Sequence, residues 1–246
     1  MDWKHKVSIS WMRDRQEHIT ASEIRSLIPL TASGNPRKVT EMDYLKVYSK
    51  KVAQITEADC WSYGAAARGH ILEPYAVRAF NDIDEGLPTL HHWDDVLIGN
   101  GREHGLSYSP DALDVEMGSA GDPKVLGEVK SYGTERHLVT AQTPKEKLEE
   151  RWQVATAMAV SPTIEEAYLI LFNPDIKIPA GQVYVFRFDR ADLAGEIETV
   201  LEVEQKWLDY VEKGPLASPK VMWQGESACS TEDIRKVVSL KQRLNP

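Results

Sequence analysis

The chain has 246 residues, 42% hydrophobic and 27% charged, with a formal net charge of −9 at pH 7; that is enough for one substantial core but hardly for two full domains. Its two cysteines, Cys60 and Cys229, stand far apart and in no C-x-x-C, which argues against a disulfide framework and against a zinc or iron–sulfur centre built on them. No apolar run approaches a membrane span, and the polar start Met1-Asp-Trp-Lys-His-Lys6 is no secretory signal, so a cytoplasmic protein without a membrane partner is expected.

Charge is unevenly spread. Residues 1–51 carry net +4 and the remainder −13; a solvated surface and a basic patch facing a polyanion both account for this. Within that basic segment, Thr20 with Glu23 forms a capping box that opens a helix to about Ile28 and puts Ser22 in its first turn. Such a turn offers free N–H groups and a positive dipole end to an anion, with Arg15 just upstream. Equally, Ser22 is a small polar residue near a cap and Arg15 a surface cation. The turn-rich loop Leu30 to Lys38 ends in two cations and is a candidate wedge between strands of a polynucleotide.

A helix capped by Thr40 and Asp43 is predicted to about Gln54, and a longer one from Ser62 to Asn81. The latter's Ala65, Ala66, Gly69, Leu72, Ala76 and Phe80 suggest a face of mostly small residues that packs close to a sheet. Glu73 lies near that face, before Pro74, either as a solvated helix carboxylate or as part of a metal site. Strands are predicted at Thr89 to Ile98, Glu103 to Asp111, Val125 to Ser131, Glu166 to Phe172 and Gln182 to Phe188. Helices are predicted at Thr143 to Val160, with Pro144 at its first position and carrying Gln153, at Asp192 to Glu212 and at Thr231 to Leu244. The pattern indicates an α/β fold with a central mixed β-sheet flanked by helices, as one domain over 1–246: a core of about 11–190, then C-terminal helices and tail.

The chemistry concentrates at Ser109-Pro110-Asp111 and Gly127-Glu128-Val129-Lys130, joined by the turn Gly118 to Pro123. Adjacent strands would bring the carboxylates of Asp111 and Glu128 to one hard divalent cation, with the Val129 carbonyl as a further oxygen donor. Strand alternation puts Glu128 and Lys130 on one face, so the amine stands beside a metal-bound water as general base or orienting group. The acidic-x-Lys spelling recurs at Asp122, Asp175 and Glu204, but only Asp111 with Glu128 reads as strand, turn, strand.

Taken in order, Arg15-x6-Ser22, Gly69-x3-Glu73, Ser109-Pro110-Asp111, Glu128-x-Lys130 and helical Gln153-Val154 resemble the phage λ-exonuclease-like (YqaJ-type) alkaline exonucleases of the PD-(D/E)xK nuclease superfamily, over about Trp11 to Phe188. The resemblance implies a restriction-endonuclease-like core. It also implies a Mg2+-dependent (Mn2+ substituting) 5′-to-3′ exonuclease that acts on double-stranded DNA ends and leaves 3′ overhangs for recombination. Asp111, Glu128, Glu73 and the Val129 carbonyl would serve the metal, Lys130 the water, Gln153 the scissile phosphate, and Arg15 with Ser22 the 5′-phosphate. It further implies a homotrimeric ring, a single-strand annealing partner and a phage or prophage origin in a bacterial cytoplasm. Ala112 and Ser131-Tyr132 depart from the Gly and Cys-Pro of many relatives. A structure-specific or restriction-type endonuclease, and a non-catalytic DNA-end-binding module, are the alternatives; a covalently closed circle and a chelator separate them.

Overall fold

The computed structural model describes residues 3–31, 35, 37–83 and 86–214. In chain order its elements are β1 (Lys4–Lys6), α1 (Ile9–Glu17), β2 (Ile19–Thr20), α2 (Ala21–Ile24), α3 (Glu41–Lys51), β3 (Trp61–Tyr63), α4 (Gly64–Asn81), β4 (His91–His92), β5 (Ile98–Gly99), β6 (Leu106–Tyr108), β7 (Ala112–Leu113), β8 (Val125–Lys130), α5 (Thr134–Ala141), α6 (Arg151–Val160), β9 (Glu166–Phe172), β10 (Val183–Asp189) and α7 (Ala194–Glu212). Among these residues, those to Asp209 form one packed unit, and those from Tyr210 to Gly214 belong to a second.

The main sheet has the order β10-β9-β8-β7-β4. β8 and β9 run parallel, while the β7–β8, β9–β10 and β4–β7 pairs are antiparallel. Both central strands are buried along nearly their whole length, which is why they read as continuous apolar runs and not as alternating ones. A parallel pair needs a long crossover, and the chain supplies it through α5 and α6. A second sheet, β2-β6-β5, ties the turn before α2 to the strand that leads into Ser109.

α4 covers one face of the main sheet. Its Leu72, Ala76, Val77 and Phe80 pack with Val125, Val129, Tyr168 and Ile170, each fully buried large side chain contributing about 1.5–3 kcal/mol. Period-two alternation then sends Glu128 and Lys130 to the opposite face. Gly64, at φ +59°, lets β3 turn straight into this helix. Gly127 is needed for space: a Cβ there would stand 2.9 Å from Leu90 Cδ1 and 3.1 Å from Ala112 Cβ.

The α/β architecture with a central mixed sheet flanked by helices is as expected, with local corrections. Ala65 and Ala66 are exposed, and α4 instead buries Ala67 and Arg68. Thr89 to Ile98 is not one strand: Asp95, at φ 51°, turns the chain, and β4 and β5 join different sheets. Glu103 to Asp111 shortens to β6 because His104, at φ 57°, breaks its start. The long helix from Thr143 is also absent. Pro144 stays extended at ψ 138°, one tight turn follows at Lys145–Lys147, and α6 begins only at Arg151; α5 was not foreseen. The helix expected at Thr231 to Leu244 lies outside the described residues, as do residues 32–34 and 36 of the proposed wedge loop.

Gly127→Ala is expected to overpack the junction of β7, β8 and Leu90 and to cost about 1–3 kcal/mol. A thermal unfolding midpoint equal to that of the parent chain would contradict the packing described.

Candidate active site

Register places Asp111 opposite Glu128. Ala112 faces Gly127 in the β7–β8 ladder, so Asp111 stands one step back, where β7 has not yet begun. There its Oδ2 accepts a hydrogen bond from the Val129 N–H at 2.7 Å. A strand residue presents its N–H and C=O to the same side, so the Val129 carbonyl lies along the edge that carries Asp111. Glu128 is buried at 8% exposure, and Lys130 Nζ donates to its Oε1 at 2.5 Å.

Glu73 reaches the same region from α4. Its carboxylate lies 3.3 Å from His70 Nδ1 on its own helix and 3.8 Å from His92 Nε2 on β4, the second an ion-pair distance and not a hydrogen bond. Burial pushes the Glu73 carboxyl up, but the two imidazoles more than offset it and hold it at about 2. Asp111 behaves in the opposite way. Burial first, then the charges of Glu128 and Glu73, push its carboxyl well above the usual range. Burial lowers Lys130, but Glu128 and Asp111 outweigh it and keep the ammonium charged. Three carboxylates therefore converge electrostatically with one lysine between them.

Arg15 and Ser22 are brought together. Thr20 and Glu23 form the capping box, and Arg15 donates through Nη2 to Ser22 Oγ at 3.4 Å and through Nη1 to Ser109 Oγ at 3.3 Å. In the sequence Ser109 shows only as the start of Ser-Pro-Asp, 94 positions from Arg15. Behind this cluster Lys51 Nζ bonds Glu23 at 2.5 Å and the Arg15 carbonyl at 2.9 Å. Arg15 and His70 both line a cleft of about 460 Å³. Gln153 is half-buried in the first turn of α6, the helix packed on β6.

Two supports had no sequence signal. Arg68, buried in α4, bonds the Ser131 and Tyr132 carbonyls, Asn173 and Asp175, which ties the tips of β8 and β9 to the helix that carries Glu73. Tyr132 donates to Glu150, and the Arg136 guanidinium lies 3.9 Å over its ring. Glu204, one of the competing acidic-x-Lys spellings, is instead a buried anchor that accepts from Asn100, Arg102 and the Leu106 N–H.

Among the described residues no three His, Cys, Asp or Glu side chains are grouped closely enough to hold a metal ion by themselves. The donor set nevertheless fits a hard cation. It is rich in oxygen, it carries excess negative charge, and the upward push on Asp111 by its neighbours is the charge that a divalent ion offsets.

The fold has counterparts among solved structures. The alkaline exonuclease LHK-Exo from Laribacter hongkongensis aligns at a TM-score of 0.56 and 22% identity, over 84% of this chain and 97% of that one. LHK-Exo in complex with dAMP gives 0.58 and 22%, over 84% and 95%. No family model matches the chain, and no curated protein matches its sequence.

Opposite signs are expected for two neutralising variants studied without divalent ions. Asp111 has a raised pKa, so its charged form weakens the fold; Asp111→Asn should raise the unfolding midpoint at neutral pH, with the gap closing as acid protonates the parent. Glu73 has a lowered pKa, and its contribution is present above the ordinary carboxylate range and is lost as pH falls toward about 2. Glu73→Gln should therefore lower the midpoint at neutral pH. Shifts of the same sign in both variants would refute this account of the electrostatics.

Proposed function

We propose that this chain is a λ-exonuclease-like deoxyribonuclease that hydrolyses one strand of linear duplex DNA from its 5′ end, using Mg2+ or Mn2+. The observation that carries the reading is Arg15 bridging Ser22 and Ser109, the latter two residues before Asp111. An anion point this near to a carboxylate pair suits a terminal phosphate held one nucleotide from the bond to be cut. Among solved structures with this fold, LHK-Exo is an alkaline exonuclease.

A bound divalent ion would offset charge on the phosphate and acidify a water at neutral pH; Asp111, Glu128, Glu73 and the Val129 carbonyl would hold it. Lys130 Nζ, paired with Glu128, orients the attacking water and donates to the phosphate as negative charge builds there. Water oxygen bonds to phosphorus, the bond to the 3′ oxygen breaks, and that oxygen takes a proton. A 5′-mononucleotide leaves, and the shortened strand again ends in a 5′-phosphate. That end refills the site at Arg15, so the product of one cycle is the ligand of the next. Gln153, on the first turn of α6, contacts the scissile phosphate in this reading. Removing the Lys130 ammonium leaves the buried Glu128 carboxylate without its partner, so turnover of that variant is compared beside its unfolding midpoint.

On the same resemblance, the assembly is proposed to be a homotrimeric ring that threads duplex and hands a 3′ overhang to a single-strand annealing protein in a phage-infected or lysogenic bacterium. A solution mass of one chain would remove the ring. The endonuclease alternative uses the same carboxylates for the same hydrolysis, and the geometry at Arg15 favours the exonuclease.

Asp111→Ala and Lys130→Ala are expected to reduce hydrolysis of linear duplex by about two orders of magnitude or more, with circular dichroism of the parent chain retained; near-parental turnover in either would remove the site assignment. Arg15→Ala should lose rate selectively on 5′-phosphorylated ends. Equal loss on 5′-hydroxyl ends would refute the phosphate role. Chelator should stop the reaction, and a closed circle should survive; nicking of the circle would transfer the site to the endonuclease reading.

A further inference from the structure

The two-stranded ribbon β1–β3 stands apart from both larger sheets. Its register pairs Lys4 with Tyr63, His5 with Ser62, and Lys6 with Trp61. Alternation therefore sorts the ribbon into two faces. One carries Lys4, Lys6, Trp61 and Tyr63, all exposed, with Tyr63 at 62%. The other carries His5 and Ser62 and faces inward: the His5 ring stacks on His70 at 4.9 Å and 18°, and His70 in turn bonds Glu73.

The outer face is unusual in its chemistry. Lys4 Nζ lies 4.2 Å from the Trp61 ring centroid and 5.8 Å from that of Tyr63, and Lys6 Nζ lies 5.7 Å from Trp61. Two exposed aromatic rings thus share two ammonium groups. Glu57 pairs with Lys6 at 2.9 Å and is itself 68% exposed, a surface pair of the kind worth little and readily displaced by a phosphate. In a chain of net charge −9, this face has a positive balance. Trp61 also forms part of the wall of the cleft that Arg15 lines.

We propose that the outer face of the β1–β3 ribbon binds single-stranded DNA, with bases stacked on Trp61 and Tyr63 and phosphates on Lys4 and Lys6. Stacking platforms interleaved with cations suit unpaired bases, whose ring faces a duplex keeps covered. The source of the strand rests on the nuclease reading: it is the strand left unpaired as its complement is digested. β3 runs through Gly64 directly into α4, the helix that carries Glu73, and the inner face of the ribbon meets that helix at His70.

The test is fluorescence anisotropy of a labelled oligothymidylate with the full chain in chelator, beside hydrolysis of linear duplex in Mg2+. Trp61→Ala with Tyr63→Ala should weaken oligothymidylate binding about tenfold or more, while Tyr63→Phe retains it. Lys4→Ala with Lys6→Ala should reduce the slope of log K against log salt by roughly 1.4, for two phosphates at about 0.7 each. Parental binding by the aromatic pair of substitutions overturns the proposal, as does an equal loss on blunt duplex or a change in oligomeric mass, which would make the face a subunit contact. Unfolding midpoints verify that the variants are folded. Loss of binding in a chain that never cuts duplex would sink the nuclease reading and leave the ribbon standing; cutting with undisturbed oligothymidylate binding would do the reverse.

Discussion

The hydrogen bond from the Val129 N–H to Asp111 fixes the arrangement of the whole site. It seats a carboxylate at the edge of β8 where the neighbouring strand has not yet started, so that one backbone group settles the position of an acid that its surroundings would otherwise repel. Glu128 and Glu73 both raise its pKa. A buried acid held against like charges is an unfavourable arrangement unless something positive completes it. Lys130 does so in part, from the Glu128 side. The remaining negative charge is the physical ground on which the proposed cation rests.

The carboxylates come from elements on different sides of the sheet. Glu128 belongs to the face that α4 does not cover, and Glu73 to α4 itself, so the site forms where the sheet ends and not on either face. Such a site needs the strand tips held still. Arg68 does this with four acceptors drawn from the ends of β8 and β9, and removal of one partner from a buried, hydrogen-bonded cation is costly. His70 and His92 constrain Glu73 in a similar way. The site is thus rigid through its supports, which suits catalysis by groups placed before the substrate arrives.

Much of this was legible in the residues. Val125 to Lys130 and Glu166 to Phe172 declare themselves as strands through unbroken apolar character, and Thr20 with Glu23 announces its helix by a local hydrogen-bond pair. Asp111 and Glu128 could be joined because a turn separates two extended runs. What stayed hidden depends on contacts between distant residues. Pro144 resembles a helix start, but its extended backbone and the buried Glu150, bonded to Tyr132, make the chain bend before α6. Ser109 becomes an Arg15 partner only through folding across 94 positions. Ala65 shares a face with Leu72 on a helical wheel, yet in the first turn of α4 both it and Ala66 are exposed.

The alternation along β8 has a consequence for how this sequence can vary. Val125, Gly127 and Val129 face α4, and Leu126, Glu128 and Lys130 the opposite side, so the strand is read in a strict frame of two. Substitution within that frame changes one side chain, whereas loss or gain of a single residue would invert every one after it, driving an acid and an amine into the hydrocarbon beneath α4. Length changes are therefore confined to the hairpin between β7 and β8, which lies exposed around Met117 and Gly118.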